Sequence, residues 1–299
     1  MTASQVGHLA MLAFSALVAG SFSLGGLAAP HLDPAALNAV RFVIAAAILW
    51  PIAMMLPAGA PRSVFRAPWR YGVLAALFAV YFVTMFEGLK TAAPVSMSAV
   101  FTLNPALAAV FGYVLVAQVT TPRTALAIVI GAIGALWVIF DGSTSAAAAF
   151  AIGRGEAIYF FGCIAHAAYA PLVARFNRGE PAIAFSACVL TAGAVLLCLW
   201  SAPVLATTDW AGLPPVVWWT IGYTATAATA VSFLLVRIAA VRLPSAKVLA
   251  YTYLTPSWVI LWEIALNQPP PAAIVLPGVG LTVLALTMLL RPDEAAATA

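Results

Sequence analysis

Few side chains in this sequence can do chemistry, and those that can are embedded in apolar stretches. His166 is the histidine placed well inside such a stretch. Its ring can hydrogen-bond, stack on a solute or carry a proton near physiological pH; a packed, hydrogen-bonded core histidine is the alternative. Asn104 stands in the middle of another stretch, where an amide needs either a solute or a helix–helix hydrogen bond. Met97, Phe101 and Asn104 share one helical face by i, i+4, i+7 spacing, and a comparable face later in the chain holds Val248, Thr252 and Thr255. Tyr81, Tyr169, Tyr251 and Tyr253, with Phe101, place rings deep in apolar sequence. Such rings suit an amphipathic solute with an apolar body, with ordinary helix packing as the alternative for each. Charged groups in these surroundings are functional candidates. Glu87 and Glu263 fall toward the ends of their stretches and Arg41 lies a turn or two into its own, so each reads as interfacial or snorkelling. Lys247 stands apart because it opens a stretch bent by proline. No G-x-S-x-G elbow, HExxH pair or GxxxxGK[ST] loop occurs, so serine-nucleophile, zinc and nucleotide chemistry have no motif. Cys163, Cys188 and Cys198 show no CxxC spacing and read as small packed residues. No cofactor or metal is expected.

The elements that must position these residues follow from composition. Of 299 residues, 64% are hydrophobic and 7% charged, against about 25% charged in a soluble domain. Lipid must therefore be the solvent for most of the surface. Thirteen scattered cationic residues make no phosphate-tracking patch, so nucleic acid is not expected as a partner. Stretches able to cross a bilayer fall at 9–28, 35–56, 69–89, 93–116, 123–140, 154–175, 182–202, 212–237, 244–266 and 273–290. Turn chemistry separates them, at 30–34, 57–68, 122, 141–145, 178–181 and 269–271. The first stretch has no cationic n-region before it and reads as an uncleaved helix. The sequence thus predicts an all-α membrane protein with ten spans. Arg62, Arg66, Arg70, Arg123, Arg175, Arg178, Arg237, Arg242, Lys247 and Arg291 then fall on one side, and only Arg41, Lys90 and Arg154 on the other. Positive charge marks the cytoplasmic side, which places both termini there. Trp69, Trp210, Trp218 and Trp219 lie near predicted span ends and read as an interfacial belt. The last residues, 293–299, read as a short tail.

The two halves, 1–145 and 146–299, repeat a pattern. Leu103-Asn104-Pro105 and Leu254-Thr255-Pro256 each occupy the middle of the fourth span of a half. Each is followed by a polar break, at Gln118 and Gln268, and then by one last apolar span. Five spans per half is an odd number, so the second half should lie inverted relative to the first, a design that places a solute site at the repeat interface. Proline within a helix removes an N–H and frees the carbonyl four residues back, here those of Phe101 and Thr252. Freed carbonyls must face protein or a wet cavity. Pro105 and Pro256 are therefore expected as hinges beside a cavity, with packing kinks as the alternative.

At these residues the chain resembles the EamA-type transporters of the drug/metabolite transporter superfamily. The resemblance covers nearly the whole chain as two repeats. It is carried by Gly20-Ser21-Phe22, Arg41-Phe42, Asn104-Pro105, Thr255-Pro256 and the stretch from Ala167 to Arg175. Within the family the chain is most similar to the bacterial aromatic amino-acid exporters. The family often carries Glu where this chain has Gln118 and Gln268, which leaves that motif neutral and without support for proton coupling. The first span also lacks the carboxylate that small multidrug-resistance relatives use for proton exchange.

The resemblance implies a monomeric, multi-pass exporter of the bacterial inner membrane, carrying small amphipathic metabolites. Amino acids with aromatic or other large apolar side chains are the expected class. The expected substrate-binding residues are Tyr81, Met97, Phe101, Asn104, His166, Tyr169, Lys247, Tyr251, Thr252 and Thr255. A drug or other metabolite exporter of the same superfamily is the alternative. A sugar-nucleotide carrier would need several buried cations, and an intramembrane Ser/His hydrolase or a structural subunit ranks lower still.

Overall fold

The computed structural model describes residues 2–56, 59, 62–117, 119–149, 151–243 and 245–290. Gln118, Arg291 and the tail at 293–299 lie outside the described residues. The regular elements are helical: α1 (Ala3–Ala28), α2 (Pro34–Met55), α3 (Trp69–Gly88), α4 (Pro94–Phe101), α5 (Asn104–Val116), α6 (Pro122–Ile139), α7 (Thr144–Ala148), α8 (Arg154–Phe176), α9 (Ala182–Trp200), α10 (Ala202–Thr207), α11 (Pro215–Ala225), α12 (Ser232–Ala240), α13 (Ser245–Ala250), α14 (Thr255–Ala265) and α15 (Leu276–Leu290). A π-helical segment, Thr226–Val231, joins α11 to α12, and a 3-10 turn, Tyr251–Leu254, joins α13 to α14.

Helix starts carry the chemistry expected of them. Asp33 accepts the Ala35 and Ala36 amides at 2.9 and 3.0 Å, with Pro34 at the first position of α2. Thr2 and Gln5 form a reciprocal capping box on α1. Outside the bundle, large apolar residues stand exposed, among them Val114 at 68%, Leu199 at 74% and Trp219 at 73%; only lipid makes such a surface stable.

Nine helical stretches among the described residues are long and apolar enough to cross a membrane. The tenth stretch read from the sequence, 244–266, is divided into α13 with six residues, the four-residue 3-10 turn and α14 with eleven. Both prolines sit at such breaks. The amides of Thr102 and Leu103 turn back to carbonyls three residues away, Ala99 and Val100, just before Pro105. Before Pro256, the Thr255 hydroxyl donates to the Thr252 carbonyl at 2.7 Å. That side chain and the Thr255 amide together satisfy the carbonyl which proline leaves without its helical donor.

The main contacts cross between the halves. α2 packs on α9, α3 on α8, α6 on α15, α4 on α14, and α1 on α11 and α12. Two crossings bring backbones together at paired glycines. A Cβ on Gly134 would lie 2.5 Å from the Gly278 carbonyl oxygen, and one on Gly88 would lie 2.6 Å from that of Gly155. Small residues let membrane helices approach this closely. At the end where α3 starts and α8 stops, Arg70 is buried and pairs with Glu180 at 2.7 Å. It also donates to the carbonyls of Arg66, at 2.9 Å, and Phe176.

Candidate functional site

These crossings enclose a cavity of about 360 Å³, near the lower end of the roughly 300–1,000 Å³ usual for small-molecule pockets. α1 contributes Met11, Phe14, Val18, Ser21 and Phe22; α3 contributes Phe78, Tyr81, Phe82 and Met85; α4 contributes Phe101. Across from them stand His166, Tyr169 and Val173 of α8, the π segment with Thr229, α12 with Ser232, Phe233 and Val236, and then Val248 and Thr252. Both halves of the chain therefore build the wall.

One side is a continuous set of rings. Phe78 stacks on Tyr169 with centroids 5.0 Å apart, and His166 meets Tyr81 at 4.4 Å and Phe101 at 6.0 Å. The Tyr81 hydroxyl accepts from Tyr159 at 3.0 Å, which fixes the tip of the ring. Such a wall offers π faces and few polar atoms, a surface for a flat apolar body.

The wall also carries Arg41. It is 1% exposed, although the sequence placed it at a membrane interface. Nε and Nη2 donate to the Thr229 hydroxyl at 3.2 and 3.0 Å, and Nη1 to Asn38 Oδ1 at 3.4 Å. Its guanidinium carbon lies 3.8 Å from the Phe82 ring centre, a cation–π contact worth up to about 2 kcal/mol when desolvated. Snorkelling fails because α2 buries this face against the π segment and α3. Arg41 and Thr229 are thus wall residues that the sequence reading missed. A run of Thr220, Thr224, Thr226, Thr229 and Ser232 in an otherwise apolar helix was the available signal.

Of the expected substrate-binding residues, Tyr81, Phe101, His166, Tyr169 and Thr252 line the cavity. The others do not. Met97 is fully buried against Gly88. Asn104 is buried, its amide without a hydrogen-bond partner among the described residues. Tyr251 meets His8 Nδ1 at 2.9 Å. Thr255 is spent on the Thr252 carbonyl, and Lys247 stands at the start of α13, off the wall. Tyr253 packs against Gly131. Glu87 pairs with Lys90 at 2.6 Å, both part-exposed as interfacial residues are. Glu263, expected at an interface, is instead buried, with Oε1 unpartnered among the described residues. No group of three or more His, Cys, Asp or Glu among the described residues could hold a metal ion.

Comparison with known proteins agrees with this architecture. The model of the EamA-like transporter family matches twice, over residues 5–140 and 153–291. The chain is similar to a Bacillus subtilis (strain 168) protein named "Uncharacterized transporter YyaM", 24% identical over 264 residues, covering 88% of this chain and 86% of that one. A solved structure described as "Crystal structure of protein" superposes with a TM-score of 0.67 at 19% identity, over 96% of this chain and 97% of that chain; this is a likeness of fold alone. With two family matches spanning nearly all of its length, the chain is a multi-pass membrane transporter rather than an enzyme, and it belongs to the EamA-like transporter family.

Proposed function

We propose that this transporter is a secondary exporter of small amphipathic metabolites, foremost amino acids with aromatic or other large apolar side chains. Its place is the bacterial inner membrane, as a monomer of ten spans, with α13 and α14 together forming the ninth. Residues 1–145 and 146–299 are two inverted five-span repeats, and both termini face the cytoplasm.

The observation that carries this reading is the ring-lined cavity of about 360 Å³ between the halves. It has room for one small solute and offers aromatic faces to an apolar body. The pairing of α1 with α11 and α12 and of α3 with α8, about self-paired α2–α9, α4–α14 and α6–α15 contacts, supports a two-fold relation between repeats. The cationic residues cluster at the ends where α3 starts and α8 and α12 stop, which supports the cytoplasmic orientation. Pro105 and Pro256, at the breaks in the fourth and ninth spans, act as hinges about which the halves rock to expose the cavity alternately.

A drug exporter built for permanent cations fits less well, since the charged group on the cavity wall is a guanidinium. Counterflow in proteoliposomes tests the reading. Vesicles preloaded with unlabelled phenylalanine should accumulate labelled phenylalanine, tryptophan and leucine, but not lysine or glutamate. His166→Ala protein should lose most of that uptake. Equal accumulation of all five, or of none, sinks the proposed substrate class.

A further inference from the structure

Arg41 is buried with no carboxylate paired to it among the described residues. A guanidinium has five N–H donors and stays protonated in proteins. Three are engaged, and two of those three converge on one atom, the Thr229 hydroxyl oxygen. The protein thus supplies two acceptor oxygens, both neutral, and no carboxylate among the described residues pairs with the group. The remaining two N–H groups belong to a side chain that lines the cavity. An isolated buried charge is costly unless something of opposite sign joins it.

The backbone around its partner is irregular as well. Thr229 lies in the π-helical segment and donates its own proton to the Thr224 carbonyl five residues back, at 2.7 Å. Its lone pairs are thereby committed to Arg41, which holds the guanidinium plane in place. π-helical turns recur at functional sites for this kind of side-chain placement.

We propose that Arg41 is the anion-binding group of the cavity, and that the transported solute carries a single carboxylate on an apolar body. The carboxylate takes the free N–H groups in the fork geometry that guanidinium and carboxylate share. The apolar body lies along Tyr81, His166 and Tyr169. A phosphate ester is disfavoured because Arg41 is the only Lys or Arg on the cavity wall among the described residues, which matches one negative charge. This inference rests on the cavity being the transport site.

Four small probes that share a phenyl-bearing body and differ in whether they carry a carboxylate test it: phenylalanine, 3-phenylpropionate, phenylalaninamide and phenethylamine. Their affinities for the full-length protein in lipid nanodiscs should separate the two acids from the amide and amine by about tenfold or more. Arg41→Gln should weaken the acids by about tenfold to a hundredfold and leave the amide within about threefold. Arg41→Lys should keep part of the preference, since charge remains but the fork is lost. Should Arg41→Gln fail to fold, the wild-type series decides alone. Acids and amide binding wild type equally, no binding of either acid, or a folded Arg41→Gln protein with its preference intact each overturns the proposal. Arg41-dependent binding of acids without any amino-acid counterflow would keep the anion site and remove the export reading. Amino-acid counterflow with no preference for the carboxylate would do the reverse.

Discussion

Tyr81 and Tyr169 share one wall but are held differently, and the difference is testable. The Tyr81 hydroxyl is tied to Tyr159 inside the bundle, at 3.0 Å. Tyr169 makes ring contacts, stacking on Phe78 at 5.0 Å and on His166 at 6.2 Å. Tyr81→Phe leaves the buried Tyr159 hydroxyl without its acceptor, a loss of about 1–3 kcal/mol. It should lower the melting temperature while solute affinity barely moves. Tyr169→Ala removes stacking surface worth about 0.5–1.5 kcal/mol beyond area. It should weaken an aromatic solute about three- to tenfold with a smaller change in melting. Thermal melts and affinities measured on both variants check this, and the opposite pattern would reverse the roles. The rings were legible in the sequence because depth along a span follows from counting residues. Arg41 was not. It lies seven residues into α2, within about 10 Å of the helix end, where snorkelling and burial look alike. Thr229 on a distant helix decides between them, and that is a tertiary fact. Asn104 does not line the cavity, and part of the reason is local. The i, i+4, i+7 face it shared with Phe101 assumes an unbroken helix, but the chain tightens at Thr102 and Leu103, which rotates the residues beyond the break off that face.

Among elements, the breaks before the two prolines carry the most consequence. Their positions and the freed carbonyls could be read from the sequence, because proline chemistry is local. The remedy could not: the Thr255 hydroxyl reaching the Thr252 carbonyl depends on the 3-10 turn itself. Nor could the sequence distinguish a bent span from the three short pieces that replace it at 245–265. Pro256→Ala restores an amide donor to that carbonyl and removes the ring clash. The turn should then relax toward continuous helix. If this break is a hinge, turnover in counterflow should fall several-fold while solute affinity stays nearly unchanged, and the melting temperature should hold or rise. A variant with full turnover would make the break a packing feature. Thr255→Val is the complementary change. It removes the hydroxyl donor and leaves the carbonyl with the Thr255 amide alone, at a cost of about 0.5–1.5 kcal/mol, so it should lower the melting temperature slightly.

At the scale of the molecule, the halves meet along crossings whose partners the sequence did not foretell. Apolar stretches predict spans, whereas the pairing of α2 with α9 or α6 with α15 depends on shape, as at Gly134 and Gly278. The ion pair between Arg70 and Glu180 is another inter-half tie of this kind. It fastens the start of α3 to the turn between α8 and α9, with both side chains buried to within 2%. The Arg178 amide also donates to Glu180, at 2.6 Å. Burial pushes the Glu180 carboxyl up, but the Arg70 hydrogen bond and the amide donors outweigh it and hold it below the usual carboxylate range. A carboxyl whose folded value is depressed stabilises the fold above its unfolded value, about 4.3 for Glu. That stabilisation is lost as pH falls through the lower folded value. Wild-type protein in detergent should therefore hold its melting temperature from pH 7 to 5 and lose it progressively below about 4. Glu180→Gln leaves Arg70 charged and buried with backbone carbonyls but no carboxylate; losing one partner of a buried pair costs at most about 3–5 kcal/mol. It should melt lower at pH 7, and the gap from wild type should narrow as acid removes the same interaction from both. A gap that stays constant from pH 7 to 3 would mean the pair acts through packing and hydrogen bonding alone, with the carboxylate charge irrelevant to how the halves are held.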